Sequence, residues 1–156
     1  MEVPRNNDQY DELKFKDIGH IRLHWRVALS LKGGKSFVRL EEIHPKLQML
    51  VDKVAQQHDF YIVCGKRTMA EQVRFVELGK SKTLNSKHLE QPDGFAWAVD
   101  VAPDQPDGKI DWEDIQSFIA LIGAFKFAAK VYDIKIRCGA DWERFRDYPH
   151  IELVEV

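Results

Sequence analysis

Three side chains able to bind a metal stand in contexts that ordinary packing does not explain: His88, Asp100 and His150. Between residues 95 and 102, Phe95, Trp97, Val99 and Val101 alternate with Ala96, Ala98, Asp100 and Ala102. The alternation has the period of a strand with one bulky apolar face and one face nearly bare except for a carboxylate. A lone acid among alanines on a sheet is costly unless it faces solvent on an edge strand or is neutralised by a partner, and a metal ion is one such partner. Both alternatives stand on this segment alone. His88 shortly before it, and His150 at the start of a later strand, supply two imidazoles to go with the carboxylate. Three protein ligands leave a tetrahedral zinc ion one open position, whereas structural zinc sites are closed by four, often cysteine-rich, ligands. Water at the open position would ionise at about pH 7, and the ion could also polarise a carbonyl. The expected cofactor is therefore Zn2+, and the expected chemistry is hydrolysis.

Hydrolysis of this kind also needs a base close to the metal but not bound to it. Asp147, three residues before His150, is placed to take a proton from water and pass it to a leaving amine. Pro149 stiffens the chain just before the ligand and biases Tyr148 toward extended geometry. Glu152 shares a strand face with His150 and is either an outer partner that orients it or a surface acid. Trp142 and Trp97 either line a groove or fill the core. The remaining histidines, His20, His24, His44 and His58, lack comparable context and are not expected to bind metal.

These residues need a scaffold, and its elements are partly legible. Apolar residues at the odd positions from Ile21 to Leu31 have the period of a half-buried strand, followed by a turn at Gly33-Gly34. Pro45 suits a first helical position, and Leu47, Leu50, Val51, Val54, Ala55 and His58 then recur on one face. A short buried strand is expected at Phe60 to Cys64. Thr68 and Glu71 form a capping-box pattern that opens a helix from Met69 to about Leu78, stopped by Gly79. Asp111 is expected to cap a third helix with Ile115, Phe118, Ile119, Ile122 and Phe125 toward the core. Strands fit Ile134 to Cys138 and His150 to Val154. The sum is an α+β domain with a small, mainly antiparallel sheet and packed helices.

Composition narrows the partners. A chain of 156 residues with net charge −2 lacks the basic excess of a sequence-independent nucleic-acid binder, so no nucleic acid is expected. The basic run Lys14, Lys16, Arg22, Arg26, Lys32, Lys35 and Arg39 reads as a solvated face, with contact to an anionic envelope polymer or lipid headgroups as the alternative. Cys64 and Cys138 are widely separated and sit in apolar stretches, which favours buried small hydrophobes over the alternative of ligand or nucleophile. Met1 to Tyr10 is polar, without the apolar core of a secretory signal, and no segment is long and apolar enough to span a bilayer. Synthesis in the cytoplasm and no stable membrane insertion are the expectations, with any work outside the membrane needing another exit route. The chain is expected to act as a monomer.

Ser86-Lys87-His88, Ala98-Val99-Asp100-Val101, Asp141-Trp142 and Asp147-Tyr148-Pro149-His150-Ile151-Glu152, in that order, resemble the VanY-type zinc D-alanyl-D-alanine carboxypeptidases. They are closer still to the phage branch, the L-alanyl-D-glutamate endopeptidases that serve as endolysins. The resemblance runs from about Ser36 to Val154. It implies the hedgehog/DD-peptidase-like fold, His88, Asp100 and His150 as ligands, and Asp147 as base. It divides the chain into an N-terminal extension, 1–35, packed on a peptidase domain, 36–156. Gly65-Lys66-Arg67-Thr68 and Gln72 resemble the family's arginine and glutamine, which implies that Arg67, and with it Gln72, holds the substrate or its developing oxyanion. Ser86 and Trp142 are placed by the same resemblance on the substrate side. Two departures are visible. Residues 89–94 form an insertion between His88 and Asp100, with turn chemistry at Pro92 and Asp93-Gly94, and Ile151 stands where the family often has phenylalanine.

The implied partner is the stem peptide of peptidoglycan, cut between L-alanine and D-glutamate after release of the enzyme to the wall. A D-alanyl-D-alanine carboxypeptidase or dipeptidase, and a zinc-stabilised wall-binding module without activity, are the alternatives.

Overall fold

The computed structural model describes residues 26–31 and 34–156, with side chains from Leu40 onward. The expected strand beginning at Ile21 lies outside the described residues up to position 25, as do His20, His24, the polar start and much of the basic run. Its remainder is β1, Arg26–Leu31, which pairs antiparallel with β2, Gly34–Arg39. The boundary expected between residues 35 and 36 falls within β2.

Helix α1, Pro45–Ala55, begins with proline at its first turn, and the His44 ring accepts the Lys46 N–H as its cap. It buries Leu47, Leu50, Val51, Val54 and Ala55, whereas His58 is exposed beyond its end. Strand β3, Phe60–Cys64, leads to α2, Met69–Glu77. There the Thr68 hydroxyl accepts the Glu71 N–H and the Glu71 carboxylate accepts the Thr68 N–H, the reciprocal cap expected from sequence. Gly79 ends the turn with φ +71°, a conformation glycine adopts without steric cost. After β4, Ala98–Pro103, helix α3 spans Ile115–Val131, followed by β5, Ile136–Cys138, and β6, His150–Leu153.

Helix α3 departs from expectation in its start and its phase. Its cap is Asp114, which accepts from both the N–H and the hydroxyl of Ser117, while Asp111 caps only a preceding turn through the Glu113 N–H. The buried stripe is Phe118, Leu121, Ile122, Phe125, Ala128 and Ala129, and Ile119 is exposed. β5 is also shorter than expected, with Ile134 buried in the approach to it, and β6 ends at Leu153 rather than Val154.

The second sheet has the order β3-β4-β6-β5, antiparallel throughout. Among the described residues the architecture is three α-helices with this four-stranded sheet, an α+β fold. Val99 and Val101 of β4, Ile62 of β3, and Ile151 and Leu153 of β6 join residues of α1 and α3 in one buried cluster. The alternate positions put Asp100 opposite His150, Ala98 opposite Glu152, and Glu152 opposite Arg137. A register shift in β3 between Ile62 and Cys64 sets Cys64 opposite Asp100. One sheet face is thus core, and the other carries a row of polar side chains.

Candidate metal centre

Asp100 is on an interior strand, flanked by β3 and β6, so the alternative of a solvent-facing edge does not hold. Its alanine neighbours Ala98 and Ala102 are fully buried. The carboxylate therefore sits over small residues in an enclosed place, where it requires compensation.

That compensation comes from two chains of contact. His88 Nε2 lies 3.2 Å from Asp100 Oδ1, His150 Nδ1 lies 3.2 Å from the same oxygen, and the two nitrogens are 3.2 Å apart. Each ring is fixed from behind. His88 Nδ1 donates to the Gly65 carbonyl at 2.7 Å, and His150 Nε2 donates to Glu152 Oε2 at 2.8 Å. With those protons committed outward, each neutral imidazole turns a lone pair toward the carboxylate oxygen. Three electron-rich atoms meeting at one triangle repel unless a proton or a metal ion lies among them.

The triangle also has the right size for an ion. Ligands about 2.0–2.1 Å from a tetrahedral zinc are about 3.3–3.4 Å apart along each edge. The observed edges of 3.2 Å come within about 0.2 Å of that, and two nitrogens with one oxygen suit zinc in donor type. The residues present fit the ion.

Electrostatics agree with a site built for positive charge. Burial opposes charge on His88, but Asp100 and then Cys64 outweigh it and hold its pKa well above the usual histidine value. Burial likewise opposes charge on His150, yet its bonds to Asp100 and Glu152 raise its pKa to about 9. Burial would raise the Asp100 pKa, but the two histidines hold it far below the ordinary carboxylate range. The enclosed triangle thus favours positive charge.

Asp147 brings a carboxylate oxygen within 4.8 Å of ligand atoms of Asp100 and His150. Its pKa is raised, first by burial and then by the Asp100 charge, against the opposing pull of His150, His88 and Arg67. A carboxyl group held above its usual range beside a cation site is suited to moving a proton near neutral pH. Its segment is positioned by Gly139, whose carbonyl accepts the N–H groups of Asp147 and Trp142. A Cβ on Gly139 would fall 2.2 Å from the Asp147 carbonyl oxygen and 3.0 Å from His150 Cβ, so only glycine fits this approach.

Arg67 follows the bulged end of β3. Its Nη1 donates to Gln72 Oε1 at 2.6 Å, its Nη2 to Cys64 Sγ at 3.3 Å, and its guanidinium lies 4.2 Å from the centre of the Phe75 ring. Its Nε–H is buried without an acceptor among the described residues. A fixed guanidinium with an unused donor is equipped to receive an oxygen acceptor.

Two residues expected on the substrate side are held by hydrogen bonds within the chain. Gln72 is fully buried and spends its amide on Arg67, Ser81 Oγ and the Thr83 carbonyl, so it holds Arg67 in place. The Ser86 hydroxyl accepts the His88 N–H at 3.2 Å and shapes the turn entering that residue. Trp142 lies against His150, with ring centres 5.1 Å apart. Trp97 bonds Asp93 through its indole N–H and is packed beside the core. Residues 89–94 form a compact turn, with Gln91 N–H bonded to the Phe95 carbonyl, Gly94 at φ +86° and Glu90 paired with Lys66. His44 serves as a helix cap.

Cys64 corrects an expectation: it is not a buried structural residue but stands 3.7 Å from His88 Nδ1 at the margin of the site. Strict alternation along β3 would have placed it with Phe60 and Ile62 in the core, and the register shift turns it over. Gly139 and Arg137, which donates twice to Glu152 Oε1, were also missed.

The model of the phage L-alanyl-D-glutamate peptidase family matches residues 29–154. The chain belongs to that family. This peptidase is 37% identical over 131 residues to the L-alanyl-D-glutamate peptidase of Escherichia phage T5, covering 80% of this chain and 90% of that one. It is 29% identical over 125 residues to the peptidoglycan L-alanyl-D-glutamate endopeptidase CwlK of Bacillus subtilis strain 168, covering 72% and 74% of the two chains. Its fold matches the crystal structure of the Serratia marcescens L-Ala D-Glu endopeptidase ChiX with a TM-score of 0.64 and 29% identity, over 73% of this chain and 82% of that one. The family model begins inside β1 and ends just past β6, so it takes in every element that positions the peptidase site.

Proposed function

We propose that this peptidase hydrolyses the L-alanyl-D-glutamate bond of the peptidoglycan stem peptide, with one zinc ion held by His88, Asp100 and His150. The observation that carries the reading is the 3.2 Å triangle of outward-anchored imidazoles and carboxylate. Zinc at that triangle supplies Lewis acidity toward water and the scissile carbonyl. Asp147 accepts the proton that the attacking water loses and returns it to the amine as the peptide bond breaks. Arg67, braced by Gln72 and Phe75, donates to the oxygen on which negative charge develops. Glu152 and the Gly65 carbonyl keep each ring turned with its free nitrogen inward, and Trp142 walls the site beside His150. No helix among the described residues is long and apolar enough to cross a membrane.

Digestion of purified sacculi, followed by identification of the new amino terminus, tests this directly. The expected result is a new N-terminal glutamate, abolished by chelation and restored by zinc. Asp147→Asn should keep its zinc and lose about 10²- to 10⁴-fold in rate. Release of terminal D-alanine alone would instead identify a carboxypeptidase, and undiminished lysis by Asp147→Asn would remove Asp147 from the mechanism.

A further inference from the structure

Phe145 is an aromatic residue held where aromatics rarely rest: its φ is +55° and its side chain is 70% exposed. A bulky residue in the left-handed region is strained, and exposure offers no burial in return. What it does touch is Lys82, whose ammonium stands 5.1 Å from the ring centre. The contact joins two segments far apart in sequence, and both border the site. Lys82 precedes Thr83, whose carbonyl is bonded to Gln72, which in turn holds Arg67. Phe145 lies two residues before Asp147, whose charge Arg67 also feels. Lys82, Thr83, Gln72, Arg67, Asp147 and Phe145 are thus linked, by contact or by sequence, in one path that starts and ends at the Lys82–Phe145 pair.

The cations on these segments differ in how they are held, and Lys80 shares the Phe75 ring with Arg67. Lys66 is paired with Glu90. Lys87 stands over Trp97, whose indole is already bonded to the Asp93 carboxylate. Arg67 has two nitrogens committed to Gln72 and Cys64. Lys82 rests on an aromatic face and has no carboxylate partner among the described residues. The ring orients its ammonium at little desolvation cost and leaves its N–H donors available.

A substrate cut before a glutamyl residue carries an anion on the residue just beyond the scissile bond. That residue gives its nitrogen to the scissile amide and one carboxyl group to the rest of the chain, so its other carboxyl group remains free. We propose that Lys82, seated on Phe145, binds this free carboxylate and sets the preference for glutamate over its amide on the leaving side of the bond. The inference rests on the L-alanyl-D-glutamate specificity proposed above.

The test compares two synthetic stem peptides that differ only in this carboxylate, one free and one amidated, by kcat/KM on the zinc-loaded enzyme. An exposed ion pair of this kind is expected to give the wild type about a three- to fivefold preference for the acid, arising in KM and shrinking as salt is raised. Lys82→Gln and Phe145→Ala should bring the ratio close to one, Lys82→Arg should retain it, and Lys87→Gln should leave it at the wild-type value. An equal ratio in wild type and Lys82→Gln, or a collapse in Lys87→Gln instead, overturns the assignment. Cleavage of neither peptide by the wild type defeats the proposed bond specificity itself and this inference with it.

Discussion

His150 illustrates how much of the chemistry is set by the atom a side chain is denied. Its Nε2 is taken by Glu152, and Glu152 is held in turn by Arg137, so Nδ1 is the nitrogen left facing Asp100. In the metal-free fold the bonds to Asp100 and Glu152 overcome burial and raise the His150 pKa to about 9, so the ring carries a proton at neutral pH. Zinc must displace that proton, and its apparent affinity should therefore rise with pH, by about tenfold per unit for each proton released, and level off above about pH 9. Competition titrations against a chelator of known affinity between pH 6.5 and 9.5 measure this. An affinity independent of pH across that range would contradict a protonated His150 in the metal-free fold. The sequence singled out His88, Asp100 and His150 because each is an unusual residue in a strand or turn context, and the fold brings the three together. It did not separate the two roles open to Glu152, because the difference is whether Arg137 and His150 flank it in space.

At the scale of elements, the segment from β5 to β6 shows what spacing alone conceals. Asp147 and His150 were readable as a pair, but the reason they can face the same point is Gly139, which packs directly against the Asp147 backbone. Gly139→Ala is expected to force that backbone away, destabilising the fold by about 1–3 kcal/mol and lowering zinc affinity at the same time. Thermal unfolding with and without zinc would report both, and a variant with unchanged stability and unchanged zinc-induced shift would contradict the packing argument. Local signals with a mechanism carried over well: Pro45 began α1, and Thr68 with Glu71 capped α2. Signals decided by competition between similar residues did not. Asp111 and Asp114 are both plausible caps, and only Asp114 has Ser117 three residues on to satisfy it twice. Likewise, β3 obeys alternation only as far as its irregularity, which is why the apolar run does not reveal that Cys64 stands opposite Asp100.

For the whole molecule, the division of labour between the two sheet faces explains why a small domain can afford so polar a centre. Helices α1 and α3 cover one face with a continuous apolar cluster that includes Phe60, Val99, Phe125 and Ile151. The other face gathers Asp100, His150, Glu152 and Cys64 along neighbouring strands. The α+β class was legible from the count and period of the segments, whereas strand order, and with it the interior position of Asp100, depends on pairings distant in sequence. Zinc X-ray absorption on the purified enzyme probes the centre of this arrangement most directly. One equivalent of zinc with only nitrogen and oxygen neighbours at about 2.0–2.1 Å, two of them imidazole, is the predicted result. A sulfur neighbour at about 2.3 Å would instead put Cys64 in the ligand set, and loss of the imidazole signal would contradict the account outright.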